Sequence, residues 1–460
     1  MRPLALAVLI PGVAFAGSTV ILENFPFVKQ KPDFCGEADV EMALGHYGYK
    51  VSQDEVFAVS GVDPALGRGV WTKELKEALK ALHVDPGPVW GSIDAGSSKQ
   101  LDAHFDALVK DLSAGVPDIV CMHYDDSPDT TEHFRLITGY DAKTDEVVYQ
   151  EPAVDHGENQ RMKRSMFLKL WPFHYSKEKW TVIRFSVPKP SEEPVVKLPD
   201  GPSPAELSQH VQELKKSTLP KGFGVTYEAP FLLIGNASVR THGQKFTRWF
   251  DALLEQDFLK APPTQLNEVW LFEDNASYVK TSKEVFNTDP DTPYGYYLSS
   301  RNALVMNIGP GYGTLSHELV HPYMHRAWPD VPAWLNEGLA SLFEFPAEKD
   351  GHITGKVNWR LPALQAGLKR SEVMSFHQLT HLSDNAFYQD DRGTNYAEAR
   401  YLIYWLQERG LLRKFIKRAL ELKDEDGTGW KALTEVLGGD PDAQFKTWSK
   451  FTLGLNQHES

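Results

Sequence analysis

The stretch "VPKPSEEPVVKLPDGPS", residues 187–203, carries five prolines and neither a helical nor an alternating pattern. Each proline fixes φ and lacks an amide donor, so no helix and no central strand can run through it. A chain of 460 residues is also long for one core, since domains usually hold roughly 100 to 200 residues. The stretch therefore reads as an extended linker, with folded bodies expected at 17–186 and 204–460.

Both bodies read as α+β. Before the linker, helical patterns at 36–49 and 72–83 precede short apolar strands at "PDIVCMHY" and "RLITGYDAKTDEVVYQEP", with a turn at 141–145. After it, an amphipathic pattern near 243–260 and strands at "FLLIGN", "EVWLFED" and "ALVMNIG" lead into a helical C-terminal part.

With 42% hydrophobic residues and 12 Trp, both bodies can fill a core. Net charge of −14 repels phosphate backbones and anionic lipid, so nucleic acid is not an expected partner. The start "MRPLALAVLIPGVAFAGS" has a basic residue, an apolar run and small residues at 14 and 16, the pattern of a signal peptide over 1–16. No later stretch reaches about 18 uninterrupted apolar residues, so a secreted or periplasmic protein without membrane insertion is expected. A buried N-terminal helix is the alternative, weakened by Pro11 and Gly12.

"TLSHELVHPYMH" concentrates the chemistry of the second body. His317 and His321, four apart on a helix, lie about 40° apart around the axis and can share one metal ion. With Glu318 between them the string is HExxH, in which the glutamate can take the proton of a bound water. Chance supplies such a string in a small share of chains, and a solvated helix face is then all it means. His325 lies about 12 Å along the axis from His317, too far to share the ion, and reads as a surface or capping histidine. A carboxylate from the next helical run, "PAWLNEGLASLFEF", can complete the set: Glu337 follows His321 after fifteen intervening residues, room for a helix end, a turn and a helix start. Two imidazoles and one carboxylate leave a coordination position for water, so Zn2+ is the expected cofactor.

"SHELVH" followed by "WLNEGLAS" resembles the gluzincin metallopeptidases, in particular the aminopeptidase-like superfamily with its thermolysin-like fold. "NYAEARYLIYWLQERG" is similar to a later helix of that family, with Ala397 and Ala399 departing from its opening. The resemblance implies that Tyr396 hydrogen-bonds the oxyanion; Asn395 and Glu398, three apart, are placed to cap that helix. An ordinary half-buried tyrosine is the other reading. The Gly-x-Met-x-Asn anchor for a free amino terminus is not evident: "LVMNIG" has Met306 beside Asn307.

The first body offers a thiol. Cys35 stands directly before a helical pattern, where a helix N-terminus would lower its pKa. His133 at the start of one strand and Glu151 at the end of the next can act as base and orienting carboxylate. These segments resemble papain-like cysteine peptidases of the bacteriocin-leader-processing type, which implies that Gln30 serves the oxyanion and Cys35 is the nucleophile; the family usually has Asp where Glu151 stands. The other reading takes Cys35 and Cys121 as core thiols or as one disulfide.

The expectation is an exported zinc peptidase fused to a papain-like domain, acting on peptides or proteins. The alternative is a peptide-binding or scaffold protein with one or both folds degenerate. Oligomeric state does not follow from the residues.

Overall fold

The computed structural model describes residues 19–456, apart from 291 and 390–393. The signal-peptide expectation for 1–16 lies outside the described residues. The chain divides into two compact units, meeting between Lys216 and Ser217.

In the first unit, seven strands form one antiparallel sheet: β1 Val20–Ile21, β2 Trp90–Asp94, β3 Asp118–His123, β4 Glu132–Asp141, β5 Glu146–Gln150, β6 Gln160–Lys163 and β7 Lys179–Ser186. They run β2-β7-β3-β4-β5-β6, with β1 paired to β4. β3 and β4 are buried on successive residues because both faces of the sheet are covered. On one side lie Val40, Ala43 and Leu44 of the helix Cys35–His46 with Leu75 and Leu79 of Thr72–Ala81; on the other lie Phe105 and Leu108 of Ser98–Ser113.

Residues 187–203 contain no helix or strand, yet Val187 and Val196 pack into this first core. The helix Pro204–Ser217, which composition assigns to the second body, belongs with the first. Ser208 Oγ donates to Arg68 O at 2.9 Å, Gln209 Nε2 to Pro32 O at 3.0 Å, and Gln212 Nε2 bonds Asp33. Proline content marks where regular structure stops, whereas contacts decide which core a segment joins.

In the second unit, β8 Gly224–Glu228, β9 Phe231–Gly235, β10 Asn267–Phe272, β11 Gly295–Leu298 and β12 Ala303–Asn307 form a mixed sheet in the order β11-β12-β10-β9-β8. β9, β10 and β12 are parallel neighbours, and all their residues are buried. Leu319, Val320 and Tyr323 of the helix Gly313–Ala327 enter the same core as Leu233 and Leu271. The helix Ala333–Leu342 packs against Asn395–Glu408, and the contact is tight: a Cβ on Gly338 would lie 3.1 Å from Ile403 and 3.2 Å from Ala399 O. Arg400, fully buried, donates from Nε to Ser341 O at 2.9 Å, satisfying a carbonyl at the end of the helix that carries Glu337.

Among the described residues no helix is long and apolar enough to cross a membrane.

Candidate functional site

Each unit has one cleft in which the residues singled out by sequence assemble. In the first unit, a cavity of about 1020 Å³ is lined by Gln30, Cys35 and His133, with Arg68 to Glu74 along one wall. Cys35 opens its helix and β4 carries His133, so two elements packed in one core bring thiol and imidazole to the same surface. His133 Nε2 and Glu151 Oε1 are 2.6 Å apart; with the carboxylate ionised the imidazole donates, which leaves Nδ1 as its second nitrogen. The backbone amide of Gln30 donates to Pro152 O at 2.9 Å, tying the Gln30 segment to the turn that holds Glu151.

Arg135 was invisible as a site residue in the sequence. It follows His133 by two on β4, so both side chains leave the same face of the strand. Its Nε donates to Glu151 Oε2 at 2.6 Å, and its terminal nitrogens donate to Tyr124 O at 2.8 Å and His123 O at 3.3 Å. Burial alone would raise the Glu151 carboxyl; the His133 bond and the charges of His133 and Arg135 outweigh it and leave the group below its ordinary value.

Cys35 departs from expectation. Burial, with Asp39 and Glu37 adding to it, pushes the thiol up to about 12 despite an amide bond from Phe134. The helix N-terminus does not prevail, because burial of the thiol outweighs it and the acidic groups Glu37 and Asp39 lie in the helix's own first turns. Cys121 borders the same cleft, and both cysteines are free thiols.

In the second unit, His317 and His321 lie one turn apart on Gly313–Ala327, ring centroids 5.0 Å apart, and Glu337 comes from Ala333–Leu342. One ligand atom from each of the three lies within 4.8 Å of the others. Glu337 Oε2 is 3.1 Å from His317 Nε2 and 3.9 Å from His321 Nε2. Glu318, Tyr396 and His325 line the same cavity of about 750 Å³.

The outer nitrogens face polar partners, and that of His321 is hydrogen-bonded. His321 Nδ1 is 2.9 Å from Asn336 Oδ1, and His317 Nδ1 is 3.5 Å from Glu344 Oε1. Glu344 is in turn held by Arg360 Nη2 at 2.6 Å and Asn358 Nδ2 at 2.8 Å. Tyr388 Oη donates to Glu337 Oε1 at 2.8 Å. Burial would raise Glu337, but the His317 bond, the two imidazole charges and the Tyr388 hydroxyl bring it down to about 2. Burial disfavours charge on His317 too, yet the carboxylates of Glu337 and Glu344 raise it to about 10. Two imidazole nitrogens, a carboxylate oxygen and an acceptor orienting one of the rings suit a divalent cation such as zinc.

Asn336, Glu344 and Tyr388 were not singled out by sequence. The only linear hint was Asn336, adjacent to Glu337. One reading changes: Asn395 is the first residue of its helix, with Thr394 in the cap position; Asn395 donates to Phe387 O and Glu398 accepts from Met374 N. His377 stacks on His381 four residues on, at 4.0 Å between centroids.

Residues 22–177 match the family described as "Peptidase_C39 like family". The first unit contains a Peptidase C39-like domain. Its span holds Gln30, Cys35, His133, Arg135 and Glu151, and ends before the proline-rich stretch. The peptidase domain of ComA from Streptococcus, described as a bi-functional ABC transporter involved in a quorum sensing pathway, is 17% identical over 36% of this chain and 100% of its own, with a TM-score of 0.24. No curated protein matches the chain.

Proposed function

We propose that the chain is an exported peptidase whose second unit hydrolyses peptide bonds at a zinc centre of His317, His321 and Glu337. The observation that carries this reading is the convergence of those three donors in one cleft with Glu318. A zinc ion bound there would supply Lewis acidity and a water of lowered pKa. Glu318 accepts a proton from the attacking water and returns it to the departing amine. Tyr396 donates its hydroxyl proton toward the oxyanion, and Tyr388 holds Glu337 by its outer oxygen. Asn336 fixes the His321 ring plane and the Glu344 carboxylate faces the outer nitrogen of His317, so little reorientation is left for the moment of reaction.

In the C39-like domain, Cys35 Sγ would attack the scissile carbonyl while His133 takes the thiol proton, Glu151 orients the ring and Gln30 donates to the oxyanion. A second reading, in which this domain binds peptides without cutting them, is favoured by the Cys35 thiol standing near 12.

Metal analysis of the purified protein and cleavage of a peptide library test the proposal. Zinc near one per chain is expected, and Glu318→Gln should keep the metal and lose chelator-sensitive cleavage. Full turnover by Glu318→Gln overturns the zinc mechanism. Cys35→Ala, assayed separately with chelator present, decides whether the C39-like domain cuts or only binds.

A further inference from the structure

The metallopeptidase reading leaves the substrate open, and one side chain of the same cleft bears on it. Arg326 lies in the last turn of the helix that carries His317 and His321, and it lines the cavity while remaining exposed. Its guanidinium has no ion pair and no hydrogen bond among the described residues. Elsewhere in this unit arginines are engaged: Arg248 with Glu228, Arg360 with Glu344, Arg418 with Glu435. In a chain of net charge −14, an unpaired cation facing a cleft is against the general pattern.

The charges of that cleft sharpen the point. Among the described residues its lining carboxylates are Glu318 and Glu337, both already assigned to water and metal. A divalent ion would cancel these two and leave Arg326 as an uncompensated charge among the described lining residues. Among the described residues no further carboxylate lines the cavity to receive a substrate's amino terminus. Arg326 follows His321 by five residues, about 7.5 Å along the helix axis and about 140° around it, so its long side chain reaches the cavity it lines from the flank of the helix; an extended peptide covers the axial part of that separation in about two residues at roughly 3.3 Å each.

We infer that Arg326 selects peptides bearing a carboxylate within about two residues of the scissile bond, through a charge-assisted and potentially bidentate pair. That carboxylate is either the C-terminal group of a short peptide or an Asp or Glu side chain. The inference rests on the metallopeptidase reading for its catalytic consequence, but the binding preference exists without turnover.

Three acetylated peptides of one sequence test it on the full chain: one with a free C-terminal acid two residues past the cleavage point, one amidated, and one amidated with Asp at that position. Hydrolysis gives kcat/KM for each, and calorimetry on Glu318→Gln protein gives binding without turnover. At least one carboxylate peptide should be favoured over the neutral amide by about tenfold, chiefly in KM, and which one it is identifies the source. Arg326→Gln should bring that ratio toward one, Arg326→Lys should retain part of it, and raised salt should shrink it in the parent protein.

Equal binding of acid and amide overturns the inference, as does a preference that survives Arg326→Gln; Arg326 would then only complement the helix dipole. If no peptide is cut and no zinc is found, the metallopeptidase reading fails, while an Arg326-dependent preference in calorimetry still upholds the carboxylate site.

Discussion

Arg135 Nε and Glu151 Oε2 meet at 2.6 Å in a buried pair, and the other oxygen of the same carboxylate meets His133 Nε2 at 2.6 Å. One carboxylate thus serves an imidazole and a guanidinium together. Arg135→Met would leave Glu151 buried without its permanent cation, costing about 3–5 kcal/mol in urea unfolding of the first unit. Arg135→Lys should cost less. The Glu151 carboxyl is depressed in the folded protein, so its contribution is present above its ordinary value near 4.3 and is lost as pH falls through the folded value. That acid-side loss should flatten in Arg135→Met; an unchanged pH dependence would show that the pair does not set the carboxyl.

The Cys35 thiol, pushed up to about 12, should react slowly with iodoacetamide at neutral pH. Its rate, followed by peptide mapping of the labelled residue, should climb roughly tenfold per pH unit from pH 7 to 10 without a plateau. A plateau at neutral pH would mean that the thiolate forms against His133 after all, and that the domain is poised to cut.

On the proposed zinc reading, Asn336→Ala frees His321 Nδ1 and should weaken metal binding about 10- to 100-fold in competition with a chromophoric chelator. Tyr388→Phe removes the hydroxyl from Glu337 and should lower affinity in the same direction by less. Unaltered affinity in Asn336→Ala would remove the asparagine from the centre.

Gly69 stands where no larger residue fits: a Cβ there would fall 2.0 Å from Asp33 O and 3.1 Å from Glu37 Oε1. Gly69→Ala must displace the segment two residues before Cys35, at a cost of about 1–3 kcal/mol. Denaturant unfolding reads the cost, and a neutral outcome would show that the Asp33 loop yields freely.

Sequence alone determined what depends on local spacing. The i, i+4 histidines, the glutamate between them, the proline-rich stretch and the strand turn at 141–145 follow from backbone periods and proline stereochemistry, which act over a few residues. His133 and Glu151 were readable because each sits at a strand boundary whose position the pattern fixes, and Glu337 because it falls inside a second apolar helical run soon after the first. Tertiary structure decided the rest, since charge and burial are properties of neighbours in space. It set Arg135 against Glu151, Asn336 behind His321 and Tyr388 on Glu337, across as many as 51 residues. It also reversed the expected effect of the helix N-terminus on Cys35, because desolvation scales with the packing around the thiol rather than with its place in the helix.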